Sequence, residues 1–326
     1  MSSSLIRVGV MRGGLGSEYE VSLKTGATVL EYLPREKYQP RDILITKDGQ
    51  WHMDGFGIEP ARLRNSLDVV FNALHGEFGE DGQVQTLLDN TMLPYTGSGR
   101  LASALGMNKV AAKEIISRAG LKVPRGVHLK FKPETNAEAV AYDVFLKISP
   151  PWIVKPVGRG SSVGVFLAKT FDDLVVAVSE CFKISEVILV EEYIRGREAT
   201  CGVVDDFRGH KTYPLLPIEI APPAGKKFFD YEAKYSGQST EICPGQFSVG
   251  EKRELGELAA AVHKLLGLKH YSRTDFIVSP RGIYILEVNS LPGLTAESLV
   301  PKSLAALGVP LPHFLDHVVS LALGKK

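Results

Sequence analysis

The run Ile153-Val154-Lys155-Pro156-Val157-Gly158-Arg159-Gly160-Ser161-Ser162-Val163-Gly164-Val165 is where the chain first commits to a chemistry. Two short strand-forming segments flank a loop of glycine, serine and one arginine. Glycine tolerates the backbone angles and the close approach needed to turn successive N–H groups toward an anion, so such a loop can cradle a phosphate. Lys155, at the end of the first strand, would add a compact positive charge to the same anion. A plain surface hairpin fits these residues as well, and the spacing is neither a Walker A loop nor a GxGxxG fingerprint.

Toward the C-terminus, Arg273-Thr274-Asp275-Phe276-Ile277-Val278 and Ile283-Tyr284-Ile285-Leu286-Glu287-Val288-Asn289 read as a hairpin with Pro280-Arg281-Gly282 as its loop. Asp275 and Glu287 stand equally far from Arg281 and so fall opposite each other. Asn289 shares the face of Glu287 through the two-residue period of a strand. Three oxygen donors on one face suit Mg²⁺ held together with phosphate oxygens. A solvated hairpin face is the competing reading, but apolar residues dominate both strands and an unpartnered, half-buried acid pair is costly.

Around these two segments the pattern is that of an α/β protein. A strand over 5–11 runs into Gly13-Gly14-Leu15-Gly16-Ser17 and then a helix from about 18 to 33. Strands follow at 41–46 and 67–73, the latter leading to Leu74-His75-Gly76. This order predicts an open, mostly parallel sheet for the first hundred residues. Tyr19 stands where a dinucleotide fingerprint needs its third glycine, which removes the main support for a dehydrogenase. Glu18, read alone, complements the dipole of the helix it begins. Further on, a helix is expected over 107–119 with Gly120 as its stop, and strands over 152–156, 163–169 and 187–192. A helix over 251–266 should bury Leu255, Leu258, Ala259, Val262 and Leu265 on one face. The stretch 221–250, rich in Pro, Gly, Lys and Tyr, has no clear period; a loop this long inside a domain is usually either a functional lid or disordered.

Composition narrows the class. The 326 residues are enough for two or three domains at ~100–200 residues each. They are 44% hydrophobic and 23% charged, ordinary for a soluble globular protein. With 38 basic against 37 acidic residues the net charge is +1, which argues against a nucleic-acid binder while allowing a local anion site. The three cysteines, Cys181, Cys201 and Cys243, have no metal-binding spacing and suit a reducing cytoplasm. Arg7 interrupts the apolar N-terminal run, so no secretory leader is expected, and no run approaches the ~18 residues of a membrane span.

Taken together, the segments resemble the D-alanine–D-alanine ligases of the ATP-grasp superfamily along nearly the whole chain. The resemblance is carried by Gly13-Gly14 with Ser17 through Leu23, Leu74-His75-Gly76 with Gly79-Glu80-Asp81-Gly82, and Met107-Asn108-Lys109. It continues through the Lys155–Gly164 loop, Val190-Glu191-Glu192-Tyr193, Phe229 through Tyr235, Arg273-Thr274-Asp275-Phe276, and Glu287 through Pro301. It implies an N-terminal α/β domain (1–106) before a two-part, α+β ATP-grasp fold (107–197 and 198–326) with its lid at about 221–250.

Roles follow by resemblance. Lys109, Lys155, Ser161, Ser162 and Lys234 would meet the ATP phosphates; Glu191, Tyr193, Ile194 and Glu198 would line the adenine and ribose pocket. Asp275, Glu287 and Asn289 would hold two Mg²⁺ or Mn²⁺ ions, in agreement with the hairpin reading. Glu18 would receive the ammonium of a first D-alanine, with His75 also in the substrate site, and Ser298 and Leu299 would hold the carboxylate of a second. Arg273 and the N–H of Gly293 would stabilise an oxyanion. Ser161 and Tyr235 would bridge to Glu18 and lock the lid. The implied protein is a cytoplasmic homodimer. A sibling ligase making D-alanyl-D-lactate or another dipeptide is the alternative, and a catalytically silent nucleotide binder is a further one. Asn108 departs from the Asp that usually precedes the ATP lysine, and Val157-Gly158-Arg159 departs from the usual loop.

Overall fold

The computed structural model describes residues 5–158, 164–221 and 240–325. The first part comprises β1 (Ile6–Gly13), α1 (Tyr19–Tyr32), β2 (Tyr38–Ile45), β3 (Trp51–Met53), β4 (Phe56–Gly57), β5 (Val69–Asn72), α2 (Gln83–Thr91) and α3 (Arg100–Met107). Its sheet runs β4-β3-β2-β1-β5. Strand β1 is central: Val8, Val10 and Met11 are fully buried, as an apolar strand between parallel neighbours requires. Only β2-β1-β5 is parallel, and β3 and β4 add to β2 antiparallel. The outer half therefore departs from the expected parallel sheet. A short turn at Thr46–Gln50, with Gly49 at φ +83°, can join only antiparallel strands.

The middle part holds α4 (Lys109–Arg118), β6 (Gly126–Lys130), α5 (Ala137–Phe145), β7 (Trp152–Pro156), β8 (Phe166–Ala168), α6 (Phe171–Ile184) and β9 (Val187–Glu192). Strands β7 and β9 lie where the sequence places them; β8 is shorter. The helix expected to begin at Met107 instead starts at Lys109, because Asn108 breaks α3 from α4. Its side-chain oxygen accepts from the N–H groups of Val110 (3.2 Å) and Ala111 (3.1 Å), a helix cap that Asp would make equally well. Gly120, at φ +79°, ends this region as expected. The sheet β6-β9-β7-β8 packs Trp152, Val154, Ile188 and Val190 against Leu174 and Val178 of α6.

The last part contains β10 (Arg197–Phe207), β11 (His210–Pro214), β12 (Ile218–Ala221), β13 (Thr240–Ile242), α7 (Val249–Leu265), β14 (Tyr271–Ser279), β15 (Gly282–Asn289), α8 (Leu299–Ala306) and α9 (Leu311–Ala322). The sheet β13-β12-β10-β14-β15, with β11 beside β10, is antiparallel throughout. The stretch read as aperiodic thus carries β13 and the start of α7, and its residues 222–239 lie outside the described ones. On α7 the buried face is Leu255, Gly256, Ala259, Val262 and His263, while Leu265 is 39% exposed. A polar residue has taken the place assigned to a leucine: His263 bonds Ser272 Oγ at 2.7 Å and lies 3.2 Å from Asp205, which makes its burial tolerable.

Helices α8 and α9 return to the beginning of the chain. Phe314, Leu315, Val318 and Val319 share one core with Val8, Val10 and Phe71. Among the described residues no single helix is long and apolar enough to cross a membrane.

Candidate active site

A cleft of about 690 Å³ is lined by strand residues of the second and third sheets and by Glu18, Val21, His75 and Glu80 from segments that follow strands of the first. A larger open hollow of about 890 Å³ spans residues 49 to 66 and shares none of these residues. The cleft is singled out by its chemistry, not its size.

At one end stands a buried trio. Strands β7 and β9 pair antiparallel with Ile153 opposite Glu191, so Lys155 and Glu191 are diagonal neighbours on one face. Lys155 Nζ lies 2.8 Å from Glu191 Oε2, and Lys113 of α4 grips Oε1. Glu191 is only 2% exposed. Burial works to raise its carboxyl, but the charges of Lys113 and Lys155 overcome this and hold it below the usual range. Burial, ahead of the pull of Glu191, takes the Lys113 ammonium down to about 7. Lys109, at the first position of α4, places Nζ 3.5 Å from Glu287. Tyr193, Ile194 and Glu198 line the same cleft together with Met107, Ile153, Leu167, Ile277 and Leu286, an apolar slot of the kind that takes a planar ring.

At the other end lies the hairpin face. Asp275 does pair with Glu287, though not through the three-residue loop expected. The hairpin closes at Ser279 opposite Gly282, leaving Pro280-Arg281 as a two-residue turn, and the register then shifts between Asp275 and Phe276. Leu286 is the extra residue, a β-bulge. Its consequence is large: Ile283 and Ile285 are buried, whereas after the bulge Glu287 and Asn289 lie on the more open face and Val288 is buried. Strict alternation would have put Glu287 beneath α7 with the isoleucines.

Asp275 is well satisfied. Arg273 forks onto both its oxygens (Nε–Oδ1 and Nη2–Oδ2, each 2.9 Å), Thr200 Oγ1 donates at 2.6 Å, and Asn289 Nδ2 donates at 3.2 Å. Burial works to lower the Arg273 guanidinium, but Asp275 beside it raises it overall. Among the described residues no three His, Cys, Asp or Glu side chains gather as a metal site by themselves. The donor set here, two carboxylates and an amide, is of the oxygen type that Mg²⁺ prefers when it also takes phosphate oxygens and water.

The third wall comes from the segments that follow β1 and β5 and from residues 290–299. Glu18 precedes α1 without capping it through a hydrogen bond. Its side chain instead lines the cleft and lies against Gly76, where a Cβ would fall 2.6 Å from Oε2. His75 Nδ1 is 2.9 Å from the carbonyl of Leu291 and Nε2 is 2.7 Å from Thr25 Oγ1. A carbonyl only accepts, so Nδ1 carries the proton. Burial lowers the pKa of this ring, so it stays neutral with Nε2 accepting from Thr25. Gly293 lies close against Ser298, whose Oγ a Cβ there would meet at 2.8 Å. Ser298 begins α8, accepting from Thr295 N at 3.1 Å, with Leu299 beside it in the cleft.

Ser161, Ser162, Lys234 and Tyr235 lie outside the described residues. Two side chains escaped the sequence reading. Lys113 is one, although a second lysine four residues after Lys109 on the face that buries Ala112 and Ile116 was a visible signal. Glu80 is the other. It accepts from Gly76 N (3.1 Å), Ser290 Oγ (3.0 Å) and Leu291 N (3.0 Å), tying the His75 turn to the Gly293 turn, and burial raises its carboxyl despite these bonds.

Residues 115–320 match the family model described as the D-ala D-ala ligase C-terminus, and residues 55–98 match that of the D-ala D-ala ligase N-terminus. The chain is 37% identical over 325 residues to a D-alanine–D-alanine ligase of Syntrophobacter fumaroxidans, covering 99% of both. A D-alanine–D-alanine ligase from Bacillus anthracis, solved in complex with ATP, superposes with a TM-score of 0.81 at 32% identity over 99% of this chain and 98% of that one. The VanG D-Ala:D-Ser ligase of Enterococcus faecalis gives 0.85 at 29% identity, covering 98% and 100%.

Proposed function

The chain belongs to the D-alanine–D-alanine ligase family, and from that premise we infer that its cleft joins two D-alanine molecules at the expense of ATP. The product, D-alanyl-D-alanine, serves cell-wall peptidoglycan synthesis. The observation that carries this reading is the meeting, in one cleft, of Glu18 and His75, the Lys155–Glu191 pair, and the Asp275–Glu287 face.

A carboxylate does not condense with an amine in water unless it is activated first. The carboxylate of the first D-alanine attacks the γ-phosphate of ATP, forming an acylphosphate and ADP. The amine of the second attacks the acyl carbon, and phosphate leaves from the tetrahedral intermediate. Lys109 and Lys155 bind and orient the phosphates, with Ser161, Ser162 and Lys234 as further proposed contacts. The apolar slot at Tyr193 and Ile194 takes the adenine, and Glu198 the ribose. Glu18 accepts the first ammonium, and Ser298 and Leu299 orient the second carboxylate. Arg273 and the Gly293 N–H face the developing oxyanion. His75, neutral and held at both nitrogens, shapes the substrate wall.

The donor chemistry of Asp275, Glu287 and Asn289 fits Mg²⁺ or Mn²⁺, and two such ions would neutralise phosphate charge that otherwise repels an approaching carboxylate. We further propose the working units 1–106, 107–197 and 198–326, with α9 closing the core of the first, a lid near 221–250 that includes Lys234 and Tyr235, a homodimer, and a cytoplasmic setting where ATP is available.

The test is product analysis with ATP and D-alanine, then with D-lactate or D-serine offered in competition. D-alanyl-D-alanine should dominate at neutral pH. A majority of ester or of mixed dipeptide would reassign the acceptor, and ATP turnover that ignores D-alanine would overturn the ligase reading.

A further inference from the structure

We propose that Lys113 is a positioning residue for ATP, acting through Glu191 to hold Lys155 on the phosphates. Lys113 does not line the cleft, whereas Glu191 and Lys155 do. It stands behind Glu191 and takes one carboxylate oxygen, leaving the other for Lys155. All three side chains are under one-tenth exposed, so their mutual charges are weakly screened.

The arrangement matters because a carboxylate has two oxygens and one charge. With both lysines in place, two ammoniums share one negative charge, and the trio carries a positive surplus that a polyphosphate can satisfy. Without Lys113, Glu191 has both oxygens for Lys155. The pair would then be neutral and tight, and Lys155 would be drawn away from the anion it serves. Burial takes Lys113 down to about 7, and an anion arriving beside Lys155 draws it back up, so phosphate binds with the second proton in place.

This rests on the reading of the cleft as an ATP site, and the experiment separates the two. Wild-type turnover of ATP with D-alanine tests the reading itself. Lys113→Met should then raise KM for ATP by about tenfold while leaving KM for D-alanine and kcat within about twofold. The variant should fold, because it leaves one buried carboxylate with one buried ammonium, and its thermal melt checks this; Lys113→Gln, a smaller perturbation, is the companion. In a Lys155→Met background the same change should add little to KM for ATP, as expected of residues acting in one chain of contacts. If wild type fails to use ATP, the cleft reading falls. If wild type works but folded Lys113 variants leave KM for ATP unchanged, move all constants alike, or add their full effect on top of Lys155→Met, the positioning role falls alone.

Discussion

Glu191 and Asp275 are both carboxylates on inner sheet faces, each gripped by cations, yet their surroundings differ in proportion and in access. Glu191, with 3% of its side chain exposed, faces two lysines. Asp275 is 15% exposed and Glu287 29%, and here two acids meet Arg273 and Lys109. The first cluster carries more positive than negative charge and is almost wholly buried, with only Lys155 and Glu191 reaching the cleft; the second is balanced and more exposed. A buried surplus of ammonium suits a polyanion, which brings its own compensation. An open, balanced acid pair can exchange partners with an incoming cation and its phosphates. On the proposed reading, two groupings of carboxylates and cations would select opposite ligands by count and exposure.

The largest effect is expected from Glu287→Gln. It keeps the shape of the open end and removes one of its two negative charges, so kcat/KM at moderate Mg²⁺ should fall by about a hundredfold or more, with an unchanged melting temperature. Near-normal turnover would take Glu287 out of the ion site. Next comes Arg273→Lys, which makes the open end resemble the buried one. A point charge cannot fork onto both oxygens of Asp275, and kcat should drop by about tenfold in steady-state assays; an unaffected kcat would show that the fork is dispensable.

The buried end is sharpened by pH. Lys113 titrates near 7 when folded and at 10.5 by its ordinary value, so between these values the unfolded chain holds a proton that the folded one lacks. Stability of the wild type relative to Lys113→Met should therefore rise from pH 7 to pH 9, by about 1–2 kcal/mol in urea titrations. A flat difference would mean that Lys113 keeps an ordinary pKa in the fold. The smallest effect is expected from Asn108→Asp, which keeps the cap on α4 and leaves both ends intact. KM for ATP should change by less than about threefold, and a larger change would give Asn108 a part in nucleotide binding.

Much of this site was legible before folding. Strands β7 and β9 are short β-rich runs whose neighbours matter little to their reading, and they lie where expected. Asp275, Glu287 and Asn289 announced themselves as oxygen donors at strand spacing. Leu265 misled because a helical period shows a stripe of apolar residues but not its centre; Gly256, which sits close against Pro214, and His263 drew the buried face round by about one position. The antiparallel edge of the first sheet was hidden because β3 and β4 are too short to carry a pattern.

The residue types, most of the strands that carry them and, through likeness to a ligase family, the chemistry they serve can be read along the chain. The direction of Glu287 is settled in the folded sheet, where one extra residue at Leu286 turns it from the helix-covered face to the cleft. Folding also decides that Lys113 stands behind Glu191, 78 residues away in the chain, and that α9 closes the core beneath β1. The reason is physical. Propensity and period are properties of neighbours along the chain, whereas a bulge, a buried ion pair and a returning helix are settled by contacts between segments that the chain brings together only when it folds.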